Sequence, residues 1–156
     1  MRCVLGIDTS NYTTSAALFC PDDGRMIQQK MLLPVKPGER GLRQSDAVFH
    51  HTVQLPQIMS RLFAEAGDVS VAAIGVSEKP RLVDGSYMPC FLCGTGLAES
   101  LSAVTSAAVH KTSHQIGHVL AALFSAGQLH LVNERFIAFH VSGGTTDCLL
   151  CEPDSE

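Results

Sequence analysis

Between Cys3 and Leu33 three apolar runs, "CVLGIDT" (3–9), "TTSAALFC" (13–20) and "MIQQKMLL" (26–33), follow one another with only "SNY" and "PDDG" between them. Short apolar runs closed by turn-forming residues read as strands, and connections this brief permit only antiparallel neighbours. The chain therefore opens with a three-strand meander.

The pattern then changes. "PVKPGERGLRQSD" (34–46) has no period and reads as a loop. From Asp46 to Ala66, Val48, Val53, Leu55, Ile58, Met59, Leu62 and Phe63 recur at near-helical spacing, with Ser45 or Asp46 as cap and Pro56 expected to kink or split the helix. "SVAAIGVS" (70–77) is a buried strand and "EKPRLVDGSYMP" (78–89) a loop, followed by a small-residue helix over 91–109 that permits close packing. A further helix is expected from about Ser113 to Ala126, and strands 135–142 and 146–152 form a hairpin around "GGT". Alternating strands and helices of this kind make an α/β protein.

At 156 residues, 46% hydrophobic and 17% charged, the chain can bury a sizeable core. Its net charge of −4 gives no overall attraction to nucleic acid or anionic membrane. No apolar run approaches the ~20 residues of a membrane span, and the N-terminus shows no cleavage site, so a cytoplasmic protein is expected.

The stretch "SHQIGHVLAAL" (113–123) places His114 and His118 four residues apart, on one face of a helix, where two imidazoles can close on one metal ion. Such a site normally needs a third ligand. His110, His130 and His140 have no partner at ligand spacing and read as structural, and His50 and His51 read as a helix-surface pair, with one of them facing the cleft as the alternative. The pairs "CFLC" (90–93) and "CLLC" (148–151) enclose large apolar residues, and residues three apart on a strand point to opposite faces; reduced, mostly buried thiols are expected. In "VSGGTT", Gly143 and Gly144 can expose successive backbone N–H groups beside the hydroxyls of Ser142 and Thr145, a chemistry suited to phosphate or carboxylate; an ordinary tight hairpin is the alternative. Asp8 ends an apolar strand beside Thr9, Ser10 and Asn11, either as an Asx-type turn or as a functional carboxylate.

The order of "VLGIDTSNYTTSAAL", the H-x-x-G-H helix start and "VSGGTT" resembles the glycoprotease-like family, whose best understood members are tRNA threonylcarbamoyladenosine synthases once called O-sialoglycoprotein endopeptidases. The resemblance implies an actin/Hsp70-like ATPase fold, with residues 1–130 as an RNase-H-like N-terminal lobe and 131–156 as the incomplete start of a second lobe. It implies a divalent metal, iron or zinc, on His114 and His118, a substrate loop at Ser142, Gly143, Gly144 and Thr145, and Asp8 in the catalytic position that actin-like ATPases set near phosphate and magnesium. The implied ligands are ATP with magnesium or a threonylcarbamoyl-adenylate, and the implied acceptor is an adenosine of tRNA. The chain departs from the family pattern at Ile116, which replaces an acidic residue, at Thr145, which replaces a histidine, and in "EKPRLVDG", where Lys79 and Arg81 stand in a segment expected to be glycine-rich.

Two functions compete. One is metal-dependent threonylcarbamoyl transfer to tRNA adenosine, by this chain as the N-terminal half of an enzyme or a paralogue. The other is a non-catalytic interaction module, pairing as a homodimer or with a related subunit through its first-lobe helices. A protease of the H-E-x-x-H kind is disfavoured, since Gln115 occupies the place of the general-base carboxylate.

Overall fold

The computed structural model describes residues 1–10, 12–35, 41–141 and 146–153. The chain forms two compact units, Met1–His114 and Gln115–Glu156.

Among the described residues the first unit holds a five-stranded sheet and two helices. Strands β1 (Arg2–Asp8), β2 (Thr13–Cys20) and β3 (Arg25–Leu32) form the expected meander, with Ile7 opposite Ala16 and Leu18 opposite Ile27. Helix α1 (Gln44–Ala66) crosses to β4 (Ser70–Lys79), which pairs parallel to β1, and helix α2 (Phe91–Thr105) crosses to β5 (Ala108–Ser113), parallel to β4. The strand order is β3-β2-β1-β4-β5.

Strand alternation decides which side is dry. Cys3, Leu5 and Ile7 on β1, Ala16, Leu18 and Cys20 on β2, and Ile74 and Val76 on β4 are buried in one cluster with Leu55, Ile58 and Leu62 of α1 and Ala98 of α2. Helix α1 lies over β2 and β3 and helix α2 mainly over β4, so both cover this face. At the far end of the β1–β2 pair, Cys3 and Cys20 are joined by a disulfide that closes 17 residues of chain.

Several local expectations are corrected. Pro56 sits inside α1 without splitting it, and Arg43 is the N-cap residue, which leaves Ser45 and Asp46 in the first turn, where the Asp46 charge favours the helix dipole. The small-residue helix ends at Thr105 instead of residue 109; Ser106 closes it in the left-handed region at φ 60°, and the chain turns into β5. Close packing does occur on this helix. A Cβ at Gly94 would lie 2.9 Å from Thr9 Oγ1 and 3.4 Å from Ile7 Cγ2.

The second unit contains α3 (His114–Ser125, its first residue belonging to the first unit), a 3-10 turn over Leu129–Asn133 and a hairpin of β6 (Phe136–Val141) and β7 (Thr146–Cys151). The register pairs Ile137 with Leu150, Phe139 with Cys148 and His140 with Asp147. Ile137, Phe139, Val141 and Leu150 are exposed on one face of the hairpin, and Phe136, Ala138, Leu149 and Cys151 are half-buried on the other with His140 and Asp147, so both faces carry apolar residues.

Candidate functional site

Strands β1, β4 and β5 run parallel, so their C-terminal ends share one edge of the sheet, the place where open α/β sheets commonly bind ligands. Three side chains meet there. Asp8 ends β1, Ser77 lies near the end of β4, and His114 directly follows β5.

Asp8 is the centre of this group. Its Oδ1 accepts the backbone N–H of Ser10 at 2.8 Å, and its Oδ2 lies 2.8 Å from His114 Nδ1. Burial pushes the Asp8 carboxyl up, but the hydrogen bond and charge of His114, with bonds from Ser77 and the Ser10 backbone, outweigh it and hold the carboxyl at about 2. Asp8 is therefore ionised at neutral pH and can only accept, so Nδ1 of His114 carries a proton and donates. The His114 ring also lies against Phe91, with ring centres 6.3 Å apart.

The turn after Asp8 is anchored from below. Thr9 is fully buried; its Oγ1 donates to the Cys90 carbonyl at 2.9 Å and accepts the Gly94 N–H at 3.2 Å. The absence of a side chain at Gly94 is what lets α2 approach this turn so closely.

A second polar group lies under the meander. Thr14 Oγ1 donates to Gln54 Oε1 at 2.7 Å, and a hydroxyl has one proton, so the 2.8 Å bond to His51 Nδ1 is donated by the ring. Gln54 in turn donates to the Leu32 carbonyl at 3.1 Å. His51 is fully buried, which corrects its reading as a helix-surface residue, and its Nε2 has no hydrogen-bond partner among the described residues. Burial pushes its proton affinity down, only partly offset by the Asp8 charge and the Ser10 backbone.

The other histidines and the cysteines sort as follows. His118, one turn beyond His114 on α3, is exposed, and its ring stacks on His140 with centres 5.4 Å apart. His140 also faces Asp147 and Gln115, so its reading as a residue without ligand-type neighbours is corrected. The expectation of mostly buried thiols holds for Cys90 alone: Cys93 and Cys151 are half-buried and Cys148 is exposed. Burial raises the Cys90 thiol to about 11, which keeps it protonated and a poor metal ligand at neutral pH. The candidate substrate loop, Ser142, Gly143, Gly144 and Thr145, lies outside the described residues.

The β3-β2-β1-β4-β5 order, a meander followed by two parallel strands with helical crossovers, makes an α/β protein of the actin/Hsp70-like fold, as expected from the sequence. YeaZ from Pseudomonas aeruginosa superposes with a TM-score of 0.60 at 19% identity, covering 100% of this chain and 70% of that one. A second solved structure, an uncharacterized protein with similarity to peptidase YEAZ from the same organism, gives 0.56 at 19% identity, covering 100% and 69%. These likenesses establish the fold.

Sequence relatives are more specific. A tRNA N6-adenosine threonylcarbamoyltransferase of Methanopyrus kandleri is 25% identical over 130 residues, 82% of this chain and 36% of that protein. One of the same name from Thermosipho africanus is 28% identical over 159 aligned positions, 98% of this chain and 44% of that protein. No protein-family profile matches. The chain thus spans less than half the length of the curated relatives it matches, and its resemblance to the glycoprotease-like family stands.

Proposed function

We propose that this chain serves threonylcarbamoyl transfer to a tRNA adenosine, with His114 and His118 as protein ligands of a divalent metal, iron or zinc. The observation that carries the reading is the 2.8 Å bond between Asp8 Oδ2 and His114 Nδ1. A histidine that ligates a metal through one nitrogen commonly donates its other N–H to a carboxylate, which fixes the tautomer and makes the ligating nitrogen more basic. Asp8 does this for His114, and the bonds from Ser10 and Ser77 hold Asp8 itself in place. Two imidazoles one helical turn apart, one of them oriented by an anion, support this reading, and the further ligands would come from outside the described groups.

When bound, the metal supplies a Lewis acid and an anchor for the acyl-adenylate. The residues of this chain supply position. Asp8 keeps the His114 proton on Nδ1, and the buried Thr9 fixes the turn that carries Asp8. Ser142, Gly143, Gly144 and Thr145 are proposed as donors to the substrate's anionic groups, on the chemistry of their residue types. Relatives named tRNA N6-adenosine threonylcarbamoyltransferase support an adenosine amine of tRNA as the acceptor, and the family resemblance supports the adenylate and a partner subunit.

A second reading, a subunit acting through its first-unit helices, draws support from α2, where Leu92 and Val104 are 58% and 80% exposed. The two readings part over metal, which a purely interacting subunit does not require of His114 and His118. The test is metal content and Zn(II) or Fe(II) affinity of the purified chain. Binding that is lost in His114→Ala and in His118→Ala, and kept in Cys90→Ala and Cys148→Ala, supports the transferase reading. Binding that follows the cysteines and ignores both histidines refutes it.

A further inference from the structure

The chain carries the spacing C-x-x-C twice, and the fold gives the two copies opposite geometries. Cys148 and Cys151 lie on β7, where residues three apart point to opposite faces: Cys148 is exposed on one and Cys151 half-buried on the other. They cannot close on each other. Cys90 and Cys93 lie where the loop after β4 winds into α2, and there the backbone brings them together.

Three successive hydrogen bonds of the tight i to i+3 kind wind this segment. The N–H of Phe91 donates to the Met88 carbonyl at 3.2 Å, that of Leu92 to Pro89 at 3.0 Å and that of Cys93 to Cys90 at 3.3 Å. Cys90 has φ −59° and ψ −28°, the values of a 3-10 turn. Such a turn eclipses side chains three apart and advances about 6 Å over three residues, inside the Cα separation of about 4.4–6.8 Å that a disulfide spans. Both side chains also meet the same stretch of α1. Cys90 packs in a cluster with Ala47, and Cys93 Sγ donates to the carbonyl of the next residue, Val48, at 3.5 Å.

The two thiols differ in access. Cys90 is fully buried, and burial, with the Cys93 sulfur beside it, is what raises its thiol. Cys93 is half-buried and borders the exposed Thr52, with Sγ 3.7 Å from Thr52 Oγ1. An incoming reagent therefore meets Cys93 first.

We propose that Cys90 and Cys93 form a redox-active dithiol that reacts with low-molecular-weight disulfides, Cys93 as the attacking thiol and Cys90 as the resolving one. The Cys93 thiolate attacks one sulfur of the small disulfide; that S–S bond breaks, a mixed disulfide forms, and the first small thiol leaves with the proton Cys93 gave up. Cys90 then attacks the Cys93 sulfur, forming the internal bridge and releasing the second small thiol with the Cys90 proton. The dithiol loses two electrons and two protons, and the small disulfide becomes two thiols. The Cys90 carbonyl and the Gly94 N–H are the groups that hold Thr9, so the oxidised pair staples the turn of α2 on which the Asp8 loop rests. The site stands independently of the metal reading.

The test is incubation of the folded whole chain, carrying Cys148→Ser and Cys151→Ser, with oxidised glutathione, followed by alkylation of remaining thiols and peptide mass spectrometry. A bridge closing so short a loop adds little to stability, so the chemical state is read in place of a melting temperature. The expected product is a Cys90–Cys93 bridge, its peptide lighter by two hydrogens and restored by dithiothreitol. With Cys90→Ser added, glutathione should stay trapped on Cys93; with Cys93→Ser added, Cys90 should remain an unmodified thiol. Both thiols unreacted, or a glutathione that persists on Cys93 while Cys90 is present, overturns the proposal on the otherwise native pair alone. Glutathione on Cys90 in the Cys93→Ser chain, with its circular dichroism unchanged, overturns the assigned order of attack.

Discussion

Asp8 and His114 are separated by 106 residues in sequence, yet Oδ2 of one lies 2.8 Å from Nδ1 of the other. The contact exists because β1 and β5 both end at the same edge of the sheet, with β4 between them. Replacing Asp8 with Asn keeps the shape but removes the charge that fixes the His114 tautomer. Zinc affinity should fall by about 10–100-fold, the usual effect of losing a carboxylate behind a ligating histidine. Calorimetric titration of the Asp8→Asn variant checks this, and undiminished affinity would separate Asp8 from the metal.

Gly94 and Gly96 lie on the same helix and should respond in opposite directions. A Cβ at Gly94 meets Thr9 Oγ1 at 2.9 Å, whereas one at Gly96 meets nothing within 4 Å. Gly94→Ala should cost about 1–3 kcal/mol by forcing α2 away from the β1–β2 turn. Gly96→Ala should gain about 0.5–1 kcal/mol through helix propensity. Urea midpoints of the two variants decide the matter.

His51 makes stability depend on pH. Burial lowers its proton affinity in the folded chain below the ordinary value of 6.5, so below that value the unfolded chain binds the extra proton more readily. The contribution is present above pH 6.5 and is lost as pH falls through the lower, folded value. His51→Leu should flatten the stability profile on the acid side of pH 6.5, whatever it does to stability at pH 8. A slope identical to the parent's would place the titration elsewhere.

The Cys3–Cys20 bridge closes 17 residues between adjacent strands. A loop of that size corresponds to roughly 3 kcal/mol in the chain-entropy account. Dithiothreitol should therefore lower the melting temperature of the parent and leave that of a Cys3→Ala, Cys20→Ala double variant unchanged.

Much of this architecture can be read from the sequence because it rests on local patterns. The meander follows from alternation and short turns, and α1 from its apolar period. Strand β5 does not, since "AVHKTS" is a short and polar edge strand, and the alanines before it extend the apparent helix up to the left-handed Ser106. His114 and His118 are visible through their spacing. The partners of His114 and His140 are not: Asp8 meets His114 only through the strand order, and Asp147 meets His140 only through the hairpin register. The burial of His51 is equally non-local, for its bond is to Thr14, 37 residues away on another element.

The central claim, that Asp8 holds His114 ready for a metal, is tested most directly by histidine ¹⁵N–¹H correlation spectroscopy at neutral pH, before and after addition of Zn(II). His114 is expected to be protonated on Nδ1 without metal, with the main zinc-induced shift at its Nε2. A His114 protonated on Nε2, with neither nitrogen responding to zinc, would contradict it.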